Sequence, residues 1–217
     1  MVPESLSRPA LREVLVGRDS TASRRFFLSA VVALGVFGVL FALLAWNMFD
    51  EPSIFVIGFW VLLGGWTCVT PALNAYENDG LLVSLFLASV GPFAVGVVLA
   101  LSPALTGPQR TLLDVLGFAL ELCLEFGLPV GTVAFAAGSW TRIALDFSSG
   151  KETVSGVSER YAVLLGVVFL LAVPVVKLLR NAPKDVSASP LDVALLGMAI
   201  VGCIVGLVLL GLLNRES

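Results

Sequence analysis

Between Thr111 and Trp140 the chain reads TLLDVLGFALELCLEFGLPVGTVAFAAGSW, and three carboxylates, Asp114, Glu121 and Glu125, interrupt a stretch that is otherwise apolar. In a helix, Phe118, Glu121 and Glu125 follow Asp114 by four, seven and eleven residues, so the acids form a stripe on one face. A carboxylate deep in hydrocarbon must face a bundle interior, take up a proton or meet a base. That chemistry makes Glu121, Glu125 and Asp114 the candidate ion- or proton-handling residues.

Their depth depends on the register of the span. The run from Leu112 to Ala137 is about 39 Å long as a helix, against a hydrocarbon core of about 30 Å. In a deep register the span begins at Leu112 and carries Glu121 and Glu125 close to the midplane. In a shallow register it begins near Leu122, Asp114 and Glu121 lie in water, and Glu125 sits one turn inside. Gly127-Leu128-Pro129-Val130-Gly131 is then a flexible point within the span, and Arg142 snorkels toward the inner interface.

Other chemistry is missing. Histidine is absent, which removes the commonest metal ligand and general base. Cys68, Cys123 and Cys203 are far apart in apolar runs and read as small buried hydrophobes, with no disulfide or metal framework. No glycine-rich phosphate loop occurs. No catalytic constellation, metal site or cofactor is expected, and the chain reads as a non-enzyme.

The elements that must hold these residues follow from composition. Of 217 residues, 58% are hydrophobic and 13% charged, and the mean hydropathy is +0.98. Too much apolar surface is present for a soluble core of this size. The expected fold is an all-α integral membrane bundle of six transmembrane helices, at about 26–46, 54–73, 81–101, 112–140, 160–179 and 191–213. Residues 1–25 are a basic segment, either a short amphipathic helix around Leu11, Val14 and Leu15 or an unstructured tail. Residues 214–217 are a tail, and 102–110 and 146–158 are loops. Asp79, in the acidic link Asn74–Gly80, is placed to cap the third span. Ser189-Pro190-Leu191-Asp192 reads as the start of the sixth. Trp60 and Trp66 lie inside the second span and are expected to pack against other helices. Pro92 falls in the middle of the third span, where a proline kinks a helix.

Ser23-Arg24-Arg25-Phe26-Phe27-Leu28 resembles the twin-arginine export signal, with Ser29 where that signal has lysine. The apolar core after it is long enough to span and ends at Leu43-Leu44-Ala45-Trp46 without a small-residue cleavage pattern, so a retained anchor is expected. Asn78-Asp79-Gly80 resembles the start of a lipid-head-group transferase signature but lacks the arginine and aspartates that follow. The Arg-over-Lys, Ala/Val/Gly/Leu-rich composition resembles that of membrane proteins from GC-rich prokaryotes.

Six spans place both termini on one side. With that side cytoplasmic, inner segments hold nine Lys and Arg and outer segments four, as the positive-inside rule requires. A net charge of -3 and the lack of a basic stripe beyond the N-terminal segment argue against nucleic acid as a partner. The expected partners are the lipid bilayer and a second copy or another membrane protein, reached through Gly202 and Gly206 or through Gly127 and Gly131. The functional expectation is a non-catalytic structural or accessory membrane component. The alternative is a small channel or transporter using Glu121 and Glu125.

Overall fold

The computed structural model describes residues 13–45, 54–101, 111–149, 157–181 and 190–215. Helices are the only regular elements among these residues, and three stretches, Glu13–Leu44, Val56–Asn78 and Leu81–Leu101, are long and apolar enough to cross a membrane. After a single helical turn at residues 13–16 come α1 (Ser20–Ala45), α2 (Ile54–Asn78), α3 (Leu81–Leu101), α4 (Leu112–Leu122), a π-helical turn (Cys123–Gly127), α5 (Leu128–Ser148), α6 (Val157–Asn181) and α7 (Pro190–Arg215). The expected loop at 102–110 and the expected cap at Ser189 lie outside the described residues.

Several boundaries move from their expected places. The second helix runs through Pro71 to Asn78, leaving Asp79-Gly80 as the whole link to α3. Asn74 stabilises this short turn by donating from Nδ2 to the Gly80 carbonyl (2.9 Å) and to Ser84 Oγ (2.8 Å). The first helix starts at Ser20, and α5 continues to Ser148.

The expected flexible point around Gly127-Leu128-Pro129 is a helical feature of definite shape. Proline lacks an N–H, and in an α-helix its ring would strike the carbonyl of Glu125, four residues back. The chain widens instead, and the Leu128 N–H donates to the Cys123 carbonyl, five residues back. The widened turn absorbs one extra residue, equivalent to about 100° of rotation. In an unbroken α-helix Ala119 and Gly131 would point about 120° apart; the extra residue reduces this to about 20°. The two halves therefore present a common face to α3.

That contact is close and antiparallel. A methyl group on Gly96 would lie 2.6 Å from the Ala119 Cα, one on Gly127 2.9 Å from the Ser89 Cα, and one on Gly131 3.1 Å from the Leu85 Cα. The pairs keep a constant register: as one chain advances the other retreats by about the same number of residues. Helix α3 is the centre, touching α1, α2, α4 and α5, while α7 packs on α6 and α5.

Apolar packing forms three clusters. Phe37, Phe41, Phe59 and Leu63 join α1 and α2 to Leu87 and Val90 of α3. Trp140, Ile143, Val163, Leu170 and Leu209 join α5, α6 and α7. Val14, Ala75, Leu81, Phe135 and Ala162 form the third, at the end of the bundle where α3 begins. Trp66 packs edge-on against Phe37, as expected, whereas Trp60 is half exposed although its ring meets Phe41. Cys68 is exposed, and Cys123 and Cys203 are partly buried, so the expectation of three buried thiols fails at Cys68.

The glycines expected to receive a partner are used within the chain. Gly202 is covered by Leu170, Gly206 by Val167 and Trp140, and Gly127 and Gly131 by Ser89, Leu85 and Ala88. Helix α5 meets α2 just as tightly: a methyl on Gly138 would collide with the Ala72 carbonyl, whereas Gly117 faces open space. Alanine normally gains about 1 kcal/mol over glycine inside a helix. Gly117→Ala is therefore expected to raise the thermal unfolding midpoint in mild detergent, and Gly138→Ala to lower it despite the same gain in helix propensity.

Candidate functional site

The three acids nominated by the sequence occupy different settings. Asp114 belongs to the start of α4, in a capping box. Its N–H donates to Thr111 Oγ1 (3.3 Å), and its Oδ2 accepts from the Thr111 N–H (2.9 Å). Glu121 is exposed, and Glu125 is half buried within the π-helical turn. The stripe through Asp114, Glu121 and Glu125 lies well off the face that carries Val115 and Ala119, so it turns away from the α3 contact. The register with α3 fixes relative depth. With Gly127 beside Ser89 and Ala119 beside Gly96, Glu125 is level with Gly91, the middle of α3, and Glu121 lies about one turn further along.

The main concentration of buried charge is elsewhere, at the end where α3 begins. Asp79 adopts φ +56°, a left-handed conformation that Asp and Asn tolerate better than most residues. This residue stops α2 and turns the chain directly into α3. Its side chain is only 2% exposed. Asp79 Oδ2 lies 2.8 Å from Arg18 Nε in an ion pair and accepts a hydrogen bond from Arg142 Nη1. Glu159 Oε1 lies 3.6 Å from Arg18 Nη2. Two carboxylates and two guanidiniums thus join the N-terminal segment, the α2–α3 turn, the end of α5 and the start of α6.

The expected roles of two residues change here. Asp79 spends its carboxylate on arginines, and its Oδ1 accepts no hydrogen bond among the described residues, so it is not the side-chain cap of α3. Arg142 reaches across to Asp79 rather than snorkelling away from the bundle.

The N-terminal segment is built into this end by backbone contacts. Where the sequence leaves it open between a surface helix and a tail, residues 13–19 dock on α2. The Arg18 N–H donates to the Asn78 carbonyl (2.9 Å), and the Asp19 N–H donates to Asn78 Oδ1 (2.7 Å). Asn78 Nδ2 donates to Ser23 Oγ (2.7 Å), which itself donates to the Val16 carbonyl (2.8 Å). Gly17 has φ +115° and passes so close to Asn78 that any side chain there would collide with it. Val14 is fully buried beside Ala75 and Leu81. Leu11 lies outside the described residues.

Burial dominates the electrostatics of this cluster. Burial raises the Asp79 carboxyl above its usual value of 3.8, against the lowering influence of Arg142 and then Arg18, with Asp146 adding to the rise. Burial likewise raises Glu159 above 4.5, against Arg18 and Arg142. No nucleophile is paired with a base, and no group of three or more potential metal ligands occurs among the described residues. The arrangement ties four parts of the chain together by charge.

The sign of the pH dependence follows from these shifts. A carboxyl raised in the folded state binds its proton more tightly there than in the unfolded chain. The stability attributable to Asp79 and Glu159 is therefore greatest at low pH and falls as pH rises from their ordinary values through their raised folded ones. An Asp79→Asn/Glu159→Gln double variant is expected to flatten that part of the pH–stability curve. At neutral pH, Arg142→Gln leaves the buried Asp79 carboxylate without its hydrogen-bonding guanidinium. It is expected to cost about 3–5 kcal/mol in an unfolding titration, with the half-exposed Arg18→Gln costing less. Comparison of the chain with family models, with curated proteins and with solved structures finds no match.

Proposed function

We propose that this chain is a six-span integral membrane protein without catalytic activity, serving as a structural or accessory component of a membrane assembly. The observation that carries this reading is the outward surface. Val32 of α1 is 66% exposed, Val61 of α2 67% and Leu207 of α7 64%, each among other exposed aliphatic residues. In water such a surface would be a large aggregation liability; in lipid it costs nothing. Helix α3, at 21 residues, is about 31 Å long, the thickness of a hydrocarbon core. The ionic cluster then lies at one interface, and the excess of arginine around it makes that interface cytoplasmic, with both termini on the same side.

A second reading, a small channel or transporter, draws support from the depth of Glu125. If α3 spans the core, the α3 register favours the deep placement of the acidic helix, with Glu125 near the midplane in a turn whose backbone ladder is broken by Pro129. Broken helices with an ionisable group at this depth are a recurring design of ion pathways.

Three measurements separate these readings. The full chain is expected to remain in the membrane pellet after alkaline carbonate extraction; release into the supernatant contradicts the membrane reading. A cysteine at Val16, in a variant lacking the three native cysteines, is expected to react with impermeant maleimide only from the cytoplasmic side. In proteoliposomes, the accessory reading predicts no ion flux above empty vesicles, whereas flux abolished by Glu125→Gln supports the transporter.

A further inference from the structure

We propose that the cytoplasmic end of the outer α1–α3 surface is a binding site for an anionic phospholipid, with Arg24 and Arg25 on its phosphate. This rests on the membrane reading above. The first observation is charge. Arg18 and Arg142 are committed to Asp79 and Glu159, but Arg24 and Arg25, one turn into α1, are exposed and have no ion pair among the described residues. The nearest acid in sequence, Asp19, uses its Oδ1 to accept from the Thr21 N–H (2.7 Å). Two adjacent exposed guanidiniums therefore face the level where lipid phosphates lie, and guanidinium matches phosphate geometry through paired N–H donors.

The second observation is continuity with an apolar surface. Arg24, Phe27, Leu28 and Val31 follow one another at helical spacing on one face of α1. The Phe27 ring stacks on Phe86 of α3 with centroids 5.2 Å apart and planes 15° from parallel. The pair remains 52% and 42% exposed, which leaves its outer side open to another apolar body. A molecule with a phosphate at one end and an acyl chain beginning one helical turn away fits this strip. A soluble phosphate fits only its first part.

The full chain, purified in mild detergent, can be titrated with phosphatidylglycerol and phosphatidylcholine and the bound lipids counted by native mass spectrometry. The wild type is expected to retain phosphatidylglycerol in preference to phosphatidylcholine. Arg24→Gln/Arg25→Gln is expected to weaken phosphatidylglycerol retention by about tenfold or more, while leaving phosphatidylcholine retention and the far-ultraviolet spectrum unchanged. Phe27→Ala/Phe86→Ala is expected to weaken both lipids. Equal retention of the two lipids by the wild type, or undiminished phosphatidylglycerol retention by the arginine variant, overturns the proposal. So does an equal loss on Arg215→Gln, which would reveal diffuse charge rather than a site, and so does displacement of the lipid by excess glycerol phosphate. Release of the chain by carbonate would instead contradict the membrane reading itself.

Discussion

The carboxylate of Asp79, shared between Arg18 and Arg142, is the constraint on which the rest of the arrangement depends. Asp79 sits in a two-residue turn, so its position fixes where α2 stops and α3 starts. Arg142 lies far along α5, so its bond to Asp79 fixes how far α5 slides past α3. Arg18 brings the N-terminal segment over the same end. Taking such charges out of water costs free energy, and a buried pair is poor evidence for stability by itself. Its effect here is to specify register. The apolar interfaces, made of aliphatic side chains and small residues, would tolerate a slide by one turn far better than an ionic contact would.

Register, in turn, is what gives the acidic helix its meaning. Gly131, Gly127 and Ala119 meet α3 in order because the π-helical turn rotates α4 by the amount that one extra residue supplies. The same turn holds Glu125 level with the middle of α3, while the stripe to which it belongs looks away from that helix. A carboxylate at that level is a chemical anomaly in a membrane, and a broken backbone ladder is a structural one. Their coincidence keeps the transport reading beside the accessory reading.

Much of the helical plan was legible in the sequence, because long apolar runs separated by polar links allow few alternatives. The unusual acidity of residues 114–125 was legible too, as was the proline that breaks the helix after them. The rotation introduced there was not, since a proline signals a disrupted turn without saying whether the chain kinks, unwinds or widens. Asp79 was read as a cap because an acid before an apolar run has that local use; only tertiary structure reveals that two arginines compete for it. One signal was available: the topology count already places Arg18, Asp79, Arg142 and Glu159 on the same side, where opposite charges near interfaces find one another. The use of the glycine faces within the chain was not legible for a related reason. Small-residue spacing shows that a helix can be approached closely, but not whether the approaching helix belongs to the same chain.

The most direct test of this account is the depth of residue 125 in a bilayer. Spin labels placed at positions 125 and 93, one at a time in a chain lacking native cysteines, can be compared for accessibility to oxygen and to a water-soluble nickel reagent. The account predicts that both labels lie within about one helical turn of the same depth, close to the bilayer centre. A label at 125 that reports the interface, with the label at 93 remaining deep, would contradict it.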